Sequence, residues 1–203
     1  MSGFRPLPDP ADRHVHLGCG TYFTTAGSLA VRPTTEWDLD WVLRLETNAD
    51  NAPYVVPWAP ARHRAAMADR SVAHWVLSAG APVGYVILRD VRVATPALEI
   101  VRLVISSKGQ GYGRLALRLV KAFAFEQLGA HRLWLDVFDF NRRARGLYAS
   151  EGLREEGVLR DAVPRGGAFE TLVVMSILEE EYAPGPQAAL PLRGPRPNGK
   201  LSP

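Results

Sequence analysis

The fold is decided by one run, Ser106-Ser107-Lys108-Gly109-Gln110-Gly111-Tyr112-Gly113-Arg114. An apolar strand pattern, Leu98 to Ile105, precedes it. A helix pattern follows from Gly111 to Leu128, with Leu115, Leu119 and Phe123 on one stripe and Gly129 as its stop. Three glycines at alternate positions let backbone amides approach a ligand where side chains would block it. The helix start adds unsatisfied N–H groups and the positive end of its dipole. Lys108 and Arg114 add charge. Such a junction suits a phosphate or pyrophosphate. The bland alternative is a glycine-rich turn without a ligand, and two cations beside three glycines weigh against it.

Two nucleotide patterns compete for this loop. A Walker run, Gly-x-x-x-x-Gly-Lys-Ser/Thr, is absent. Gly111, Gly113 and Ala116 do satisfy Gly-x-Gly-x-x-Ala, the dinucleotide pattern. That pattern belongs at the start of an alternating strand–helix series. Here it lies behind paired strands, with one crossover after it. A nucleotide-dependent oxidoreductase stays as a distant alternative.

Working outward, Ser28 to Arg32 reads as a strand and Thr35 to Glu46 as a helix, with Thr35 as cap and Trp37, Trp41 and Leu45 recurring every four residues. Pro53, Pro57 and Pro60 make 48–60 a loop, and a helix follows at about 61–69. His74–Leu77 and Val83–Arg89 flank Gly80-Ala81-Pro82, a hairpin signal. Arg132 to Phe138 is a strand. Arg142 to Ser150 is a short helix between Asn141 as cap and Gly152 as stop. A last hairpin joins about 153–162 to Phe169–Leu178 through Arg165-Gly166-Gly167. The expected class is α/β (α+β): one domain, a mixed and mostly antiparallel central sheet flanked by helices, with one strand–helix–strand crossover.

The 203 residues fit one domain of ordinary globular composition, 47% hydrophobic and 22% charged. No run spans a bilayer, and no apolar core follows a basic start, so neither a membrane anchor nor a signal peptide is expected. One cysteine, Cys19, excludes a disulfide framework within the chain. A cytoplasmic setting is the expectation. Residues 183–203 hold six prolines and three glycines and read as a disordered tail. Residues 1–27 read as a loose extension, leaving 28–182 as the domain. The net charge of +3 invites thoughts of nucleic acid. The tail holds three basic residues and no acidic ones, and the start is balanced, which leaves 19 basic and 19 acidic residues in 28–182. The domain is formally neutral, so no nucleic-acid partner is expected.

At this point the sequence resembles the GNAT superfamily of N-acetyltransferases. Those enzymes carry Arg/Gln-x-x-Gly-x-Gly/Ala between a strand and a long helix. Lys108-Gly109-Gln110-Gly111-Tyr112-Gly113 matches, with lysine at the first position. A second motif agrees: Asn141-Arg142-Arg143-Ala144-Arg145-Gly146-Leu147-Tyr148-Ala149-Ser150-Glu151-Gly152-Leu153 resembles Asn-x-x-Ala-x-x-Leu/Phe-Tyr-x-x-x-Gly-Phe. The resemblance covers essentially 28–182. It implies acetyl-CoA as co-substrate, its pyrophosphate on Lys108–Arg114, and its pantetheine and acetyl carbonyl on backbone groups of Leu103, Val104 and Ile105.

Amide formation from a thioester needs a held donor, a neutral amine, a stabilised oxyanion and a proton for the departing thiolate. Tyr148 is the candidate acid, because a phenol is protonated at neutral pH. Packing beside Leu147 is its plain alternative. Asn141, two helical turns earlier, is implied to touch the cofactor and also suits a cap. Glu99 is the candidate base, or else a strand-end carboxylate paired with Arg102. Bulk water can also take that proton. His74 and His131 read as structural. His14, His16 and Cys19 cluster, but no metal is expected. Arg142, Arg143 and Arg145 form a basic face that could meet the adenosine 3′-phosphate, or plain solvent.

The resemblance places the acceptor among Trp37, Trp41, Tyr54, Trp58 and the turn around Arg165–Phe169. The rings suit an apolar or cationic amine. Asp38, Asp40, Glu46 and Asp50 could draw a polyamine or a peptide amino terminus. A small-molecule amine and a protein amine fit equally. A non-catalytic acyl-CoA sensor on the same fold is the other class, and Tyr148 speaks against it. A homodimer is the expected assembly, as is common for such enzymes.

Overall fold

Two strands in the middle of the chain are buried along both faces. In β3 (Val72–Ala79) residues 73–77 are all buried, and in β4 (Ala81–Arg89) residues 83–88 are. Strands like these need a layer on each side. The computed structural model describes residues 20–24, 27–91 and 97–184. His14, His16, Cys19 and the basic residues of the tail lie outside them.

Before β3 come β1 (Gly20–Thr24), β2 (Gly27–Pro33), α1 (Leu39–Thr47) and α2 (Pro60–Ala68). After β4 come β5 (Ala97–Ile105), α3 (Tyr112–Ala122), β6 (Arg132–Phe138), α4 (Arg142–Ser150), β7 (Arg154–Arg165) and β8 (Ala168–Leu178). The sheet order is β1-β2-β3-β4-β5-β6-β8-β7, antiparallel except where β6 runs parallel to β5 after the α3 crossover. The expected α+β class holds. Strand β1, inside the stretch read as loose, extends the sheet by pairing Gly20↔Val31 through Thr24↔Gly27.

Each face of the sheet has its own core. Leu115, Leu119 and Val120 of α3, with Phe123 just beyond it, pack on Trp75, Leu77, Leu133 and Met175. On the other face Val42 and Leu45 of α1 pack on Tyr85, Ile87 and Val104. Two helices depart locally from the sequence reading. The long helix stays α-helical only to Ala122; Phe123–Gln127 widens to a π turn in which Leu128 N–H donates to the Phe123 carbonyl at 3.0 Å. Phe123 and Phe125 are thereby both buried, the first against Trp75 at 4.8 Å between centroids. The first helix is split: a 3-10 turn, Glu36–Asp38, precedes α1. Its buried side is Leu39, Val42, Leu45 and Glu46, while Trp37 is 94% exposed.

The site is made by a parting of strands. β5 and β6 pair over Ala97↔Arg132, Leu98↔Leu133 and Glu99↔Trp134. Beyond that, β5 stays with β4 to Gly84↔Ile105 and β6 stays with β8 to Phe138↔Leu172. Gly84 secures the β4 side. A Cβ there would lie 2.5 Å from the Val104 carbonyl oxygen, so only glycine permits this approach. The Ser106 N–H also donates to the Val83 carbonyl at 2.8 Å. A bulge between Ile87 and Leu88 leaves Val101 unpaired and reverses which face the later β5 residues take.

Candidate active site

The wedge between β5 and β6 opens into a cavity of about 660 Å³, within the range of small-molecule sites. One wall is Ile100–Ile105 of β5 and the other Leu135–Phe138 of β6. Past Glu99 the backbone groups of β5 that turn away from β4 meet no strand among the described residues. An extended ligand carrying amides can pair there as a strand would.

The glycine loop closes one end. Gly109 and Gly111 take φ values of +82° and +80°, in the left-handed region that favours glycine, and open space lies over both. Gly111 caps α3, and the helix start faces the cavity through Tyr112, Gly113 and Arg114. By helix geometry the first-turn N–H groups are free to meet an anion. The two cations are engaged within the chain. The Lys108 ammonium donates to Asn51 Oδ1 and to the Ile105 carbonyl, the latter at 2.8 Å, and burial lowers its pKa. It ties the end of β5 to the loop after α1. Arg114 lies 2.5 Å from Glu151, which Arg118 and Lys121 also hold. Burial opposes that carboxylate's charge, but the three cations bring its pKa down to about 2. The loop therefore presents mainly backbone amides and a positive field.

Tyr148, on α4, lines the cavity, and its phenol oxygen has no hydrogen-bond partner among the described residues. Burial, and next the charge of Asp136, push its pKa up to about 12. Asn141 caps α4 by accepting from the Ala144 N–H at 3.2 Å, and it also lines the cavity. The cap leaves Asn141 on the cavity wall. Leu103, Val104 and Ile105 line the cavity, as do Lys108, Gly109, Gly111, Tyr112, Gly113 and Arg114. Gln110 and Glu99 do not. Gln110 is exposed. Glu99 is buried, 2.7 Å from Arg89 rather than paired to Arg102.

Asp136 is the carboxylate the sequence reading passed over. On β6, Leu133, Leu135 and Val137 join the core beneath α3, so Asp136 faces the other way, into the cavity. It is open to the cavity yet ringed by protein. Burial raises its pKa, and Arg89 partly offsets that. Its signal was a single charge inside an apolar strand, twelve positions before Tyr148.

The face under α1 and α2 carries a buried polar chain. Glu46 accepts from Tyr85 at 2.5 Å and from the Trp58 N–H at 2.9 Å, and pairs with Arg102 at 3.0 Å. Burial opposes its charge, but His63, Tyr85 and Arg102 hold its pKa below the ordinary value. His63 meets His74 at 3.0 Å, and His74 meets Thr34 at 2.8 Å. Burial, and next His63, lower the His74 pKa to about 4. Tyr54, Val56 and Trp58 of the α1–α2 loop line the cavity, while Trp37 and Trp41 do not. Of the four acidic residues expected near the acceptor, Asp50 lines the cavity. Glu46 is buried beneath it, and Asp38 pairs with Arg32 at 2.7 Å. The β7–β8 turn braces the loop: Arg165 donates to the Ala52 and Pro53 carbonyls at 2.6 Å each. Arg143 lines the cavity, and Arg145 pairs with Glu155 at 2.6 Å. Among the described residues no cluster of His, Cys, Asp or Glu could hold a metal, and no helix is long and apolar enough to cross a membrane.

A cleft with an anion cradle at one end, open strand edges along one wall and a buried phenol fits a coenzyme with a long amide-bearing arm, which is the site of an acyltransferase. The chain belongs to the acetyltransferase (GNAT) family, whose model matches residues 39–152. Solved structures share the fold. RimJ of Mycobacterium smegmatis, in complex with CoA-disulfide, is similar at 23% identity and a TM-score of 0.68, covering 84% of this chain and 90% of that one. The spermidine N-acetyltransferase of Vibrio cholerae, in complex with CoA and spermine, is similar at 22% identity and a TM-score of 0.67, covering 75% and 96%. The single crossover and largely antiparallel sheet remove the oxidoreductase alternative.

Proposed function

We propose that this acetyltransferase moves the acetyl group of acetyl-CoA to a primary amine by direct attack in a ternary complex. The reading is carried by one observation: β5 and β6 part above the glycine loop, and Asp136 and Tyr148 stand on the walls of that opening. The pyrophosphate rests on the amides of Gly109 to Arg114. The pantetheine arm lies along β5, where backbone groups of Leu103, Val104 and Ile105 take its amides and hold the thioester carbonyl.

Asp136 accepts a proton from the amine as nitrogen bonds to the carbonyl carbon. The C–S bond then breaks, and Tyr148 donates its phenol proton to the departing sulfur. A phenol is a weaker acid than a thiol, so the phenolate is short-lived. The proton held by Asp136 restores it, and the net change is amine plus thioester to amide plus thiol. Glu99 is not in this path; its ion pair holds Arg89 near Asp136, where the cation moderates the carboxylate's pKa.

The test is an acceptor screen over polyamines, aminoglycosides, amino acids and peptides, read by thiol release. Turnover with at least one amine supports the reading. Thermal stabilisation by CoA with no thiol release from any amine sinks it and favours a sensor.

A further inference from the structure

We propose that the amine acceptor carries an anionic group, received by Arg62 where it lies on the Trp58 ring at the cavity wall. This rests on the acetyl-transfer reading and deepens it by naming the substrate class.

Two guanidinium groups share one indole. Arg62 lies 4.0 Å from the Trp58 ring centroid and Arg102 4.6 Å, and all three residues line the cavity. One cation on a ring is favourable; two repel each other. Arg102 has its answer within the chain. It pairs with Glu46 and donates to the Val56 carbonyl, and its side chain is only 10% exposed. Even so, its Nε–H has no partner among the described residues.

Arg62 is answered less directly: among the described residues no carboxylate forms an ion pair with it, and Glu46 acts on it only at longer range. Arg62 is exposed at the cavity rim. Partial burial, then the charges of Arg102 and Arg89, lower its pKa, and the charge of Glu46 offsets this in part. The neighbouring acids are engaged. Glu46 is taken up by Tyr85, Arg102 and Trp58, and Glu99 by Arg89. Asp50 sits toward the glycine loop, where its charge acts on Lys108. That leaves Asp136 for the reacting ammonium and Arg62 for a negative group on the same molecule. A polyamine would bring its second cation to Arg62 instead. A guanidinium held over a ring face is oriented in advance, which limits the entropy cost of binding a carboxylate or phosphate.

The experiment uses the full chain saturated with CoA for calorimetric binding, and with acetyl-CoA for thiol release. The probes are matched pairs: glutamate against glutamine, alanine against alaninamide, a peptide beginning Ala-Glu against one beginning Ala-Gln, and spermidine alone. The more anionic member of at least one pair binds and reacts about tenfold better. Which pair responds distinguishes a free amino acid from a peptide terminus. Arg62→Gln brings that ratio close to one, and Arg62→Lys restores part of it. Indifference within every pair, preference for spermidine, or a ratio that survives Arg62→Gln overturns the proposal. Thiol release from cationic amines alone overturns it while leaving acetyl transfer standing. Charge-selective binding that depends on Arg62, without thiol release from any amine, overturns the transfer reading and with it the bound molecule's role as acceptor.

Discussion

The Glu99 carboxylate lies 2.7 Å from the Arg89 guanidinium, on the last residue of β5 that β6 still pairs. Two residues further along β6, past the parting, Asp136 faces the cavity. Under the proposed mechanism the two carboxylates have different duties, and substitution separates them. Asp136→Asn is expected to lower kcat by about 10²–10⁴. Glu99→Gln, which removes a pair whose arginine is half exposed, is expected to cost less than about tenfold in kcat and on the order of 1 kcal/mol in stability. The pH profile gives a second readout. The Asp136 pKa is raised, and a base must be deprotonated, so turnover falls as pH drops through a value above the ordinary carboxylate range. Asp136→Asn removes that acidic limb. A limb that vanished in Glu99→Gln instead would exchange the two roles.

Tyr148 lines the same cavity and has the opposite requirement, to stay protonated. Its pKa, pushed up to about 12, keeps the phenol protonated across the working range. Wild-type kcat should then show no basic limb from this group below about pH 10. Tyr148→Phe is expected to lower kcat by about 10²–10⁴ while the KM for acetyl-CoA changes less than about twofold, since the ring keeps its packing. Equal turnover of the two proteins across pH removes Tyr148 from the proton path.

What could be read from the residues was what is local. The glycines of the loop, the Asn141 cap and the spacing to Tyr148 each act within a few residues of chain, so their pattern survives in one dimension. Asp136 reaches the cavity only because β6 leaves β5 after Trp134, and that parting has no signature within β6 itself. Arg62 and Arg102 meet on Trp58 through α2, β5 and a loop, so their meeting is tertiary. Trp37 fitted a helical period, yet a 3-10 turn rotated it into solvent. Periodicity assumes one uniform helix, and the Asp38 carboxylate breaks that assumption by accepting from the Thr35 N–H at 2.8 Å and pairing with Arg32.

Gly84 links packing to the site. Gly84→Ala places a methyl group 2.5 Å from the Val104 carbonyl oxygen and 2.7 Å from Ile105 Cδ1, so the β5 backbone must shift and Ile105 must change rotamer. A loss of about 1–3 kcal/mol is expected, seen in urea unfolding as a lower midpoint with an unchanged slope. Val104 and Ile105 form the cavity wall, so the KM for acetyl-CoA should rise as well. A fully stable variant with a normal KM would show that β4 does not hold that wall in place.

The buried chain from Thr34 to Glu46 sets the acid limit of stability. His74 is 4% exposed, and its pKa is lowered to about 4 from an ordinary 6.5 by burial and then by His63. A group whose folded pKa is depressed favours the fold above its unfolded pKa and loses that contribution as pH falls toward the folded one. For His74 the window runs from about 6.5 down to about 4, with a loss on the order of 3 kcal/mol. Glu46 acts with the same sign lower down, since its pKa is also held below the ordinary value. Urea midpoints measured from pH 7 to pH 4 should therefore fall steadily. In His74→Asn, which lowers stability throughout by leaving His63 without its partner, the dependence across that window should flatten. A wild-type midpoint that stays level from pH 7 to pH 4 would mean that His74 is not held neutral by the fold.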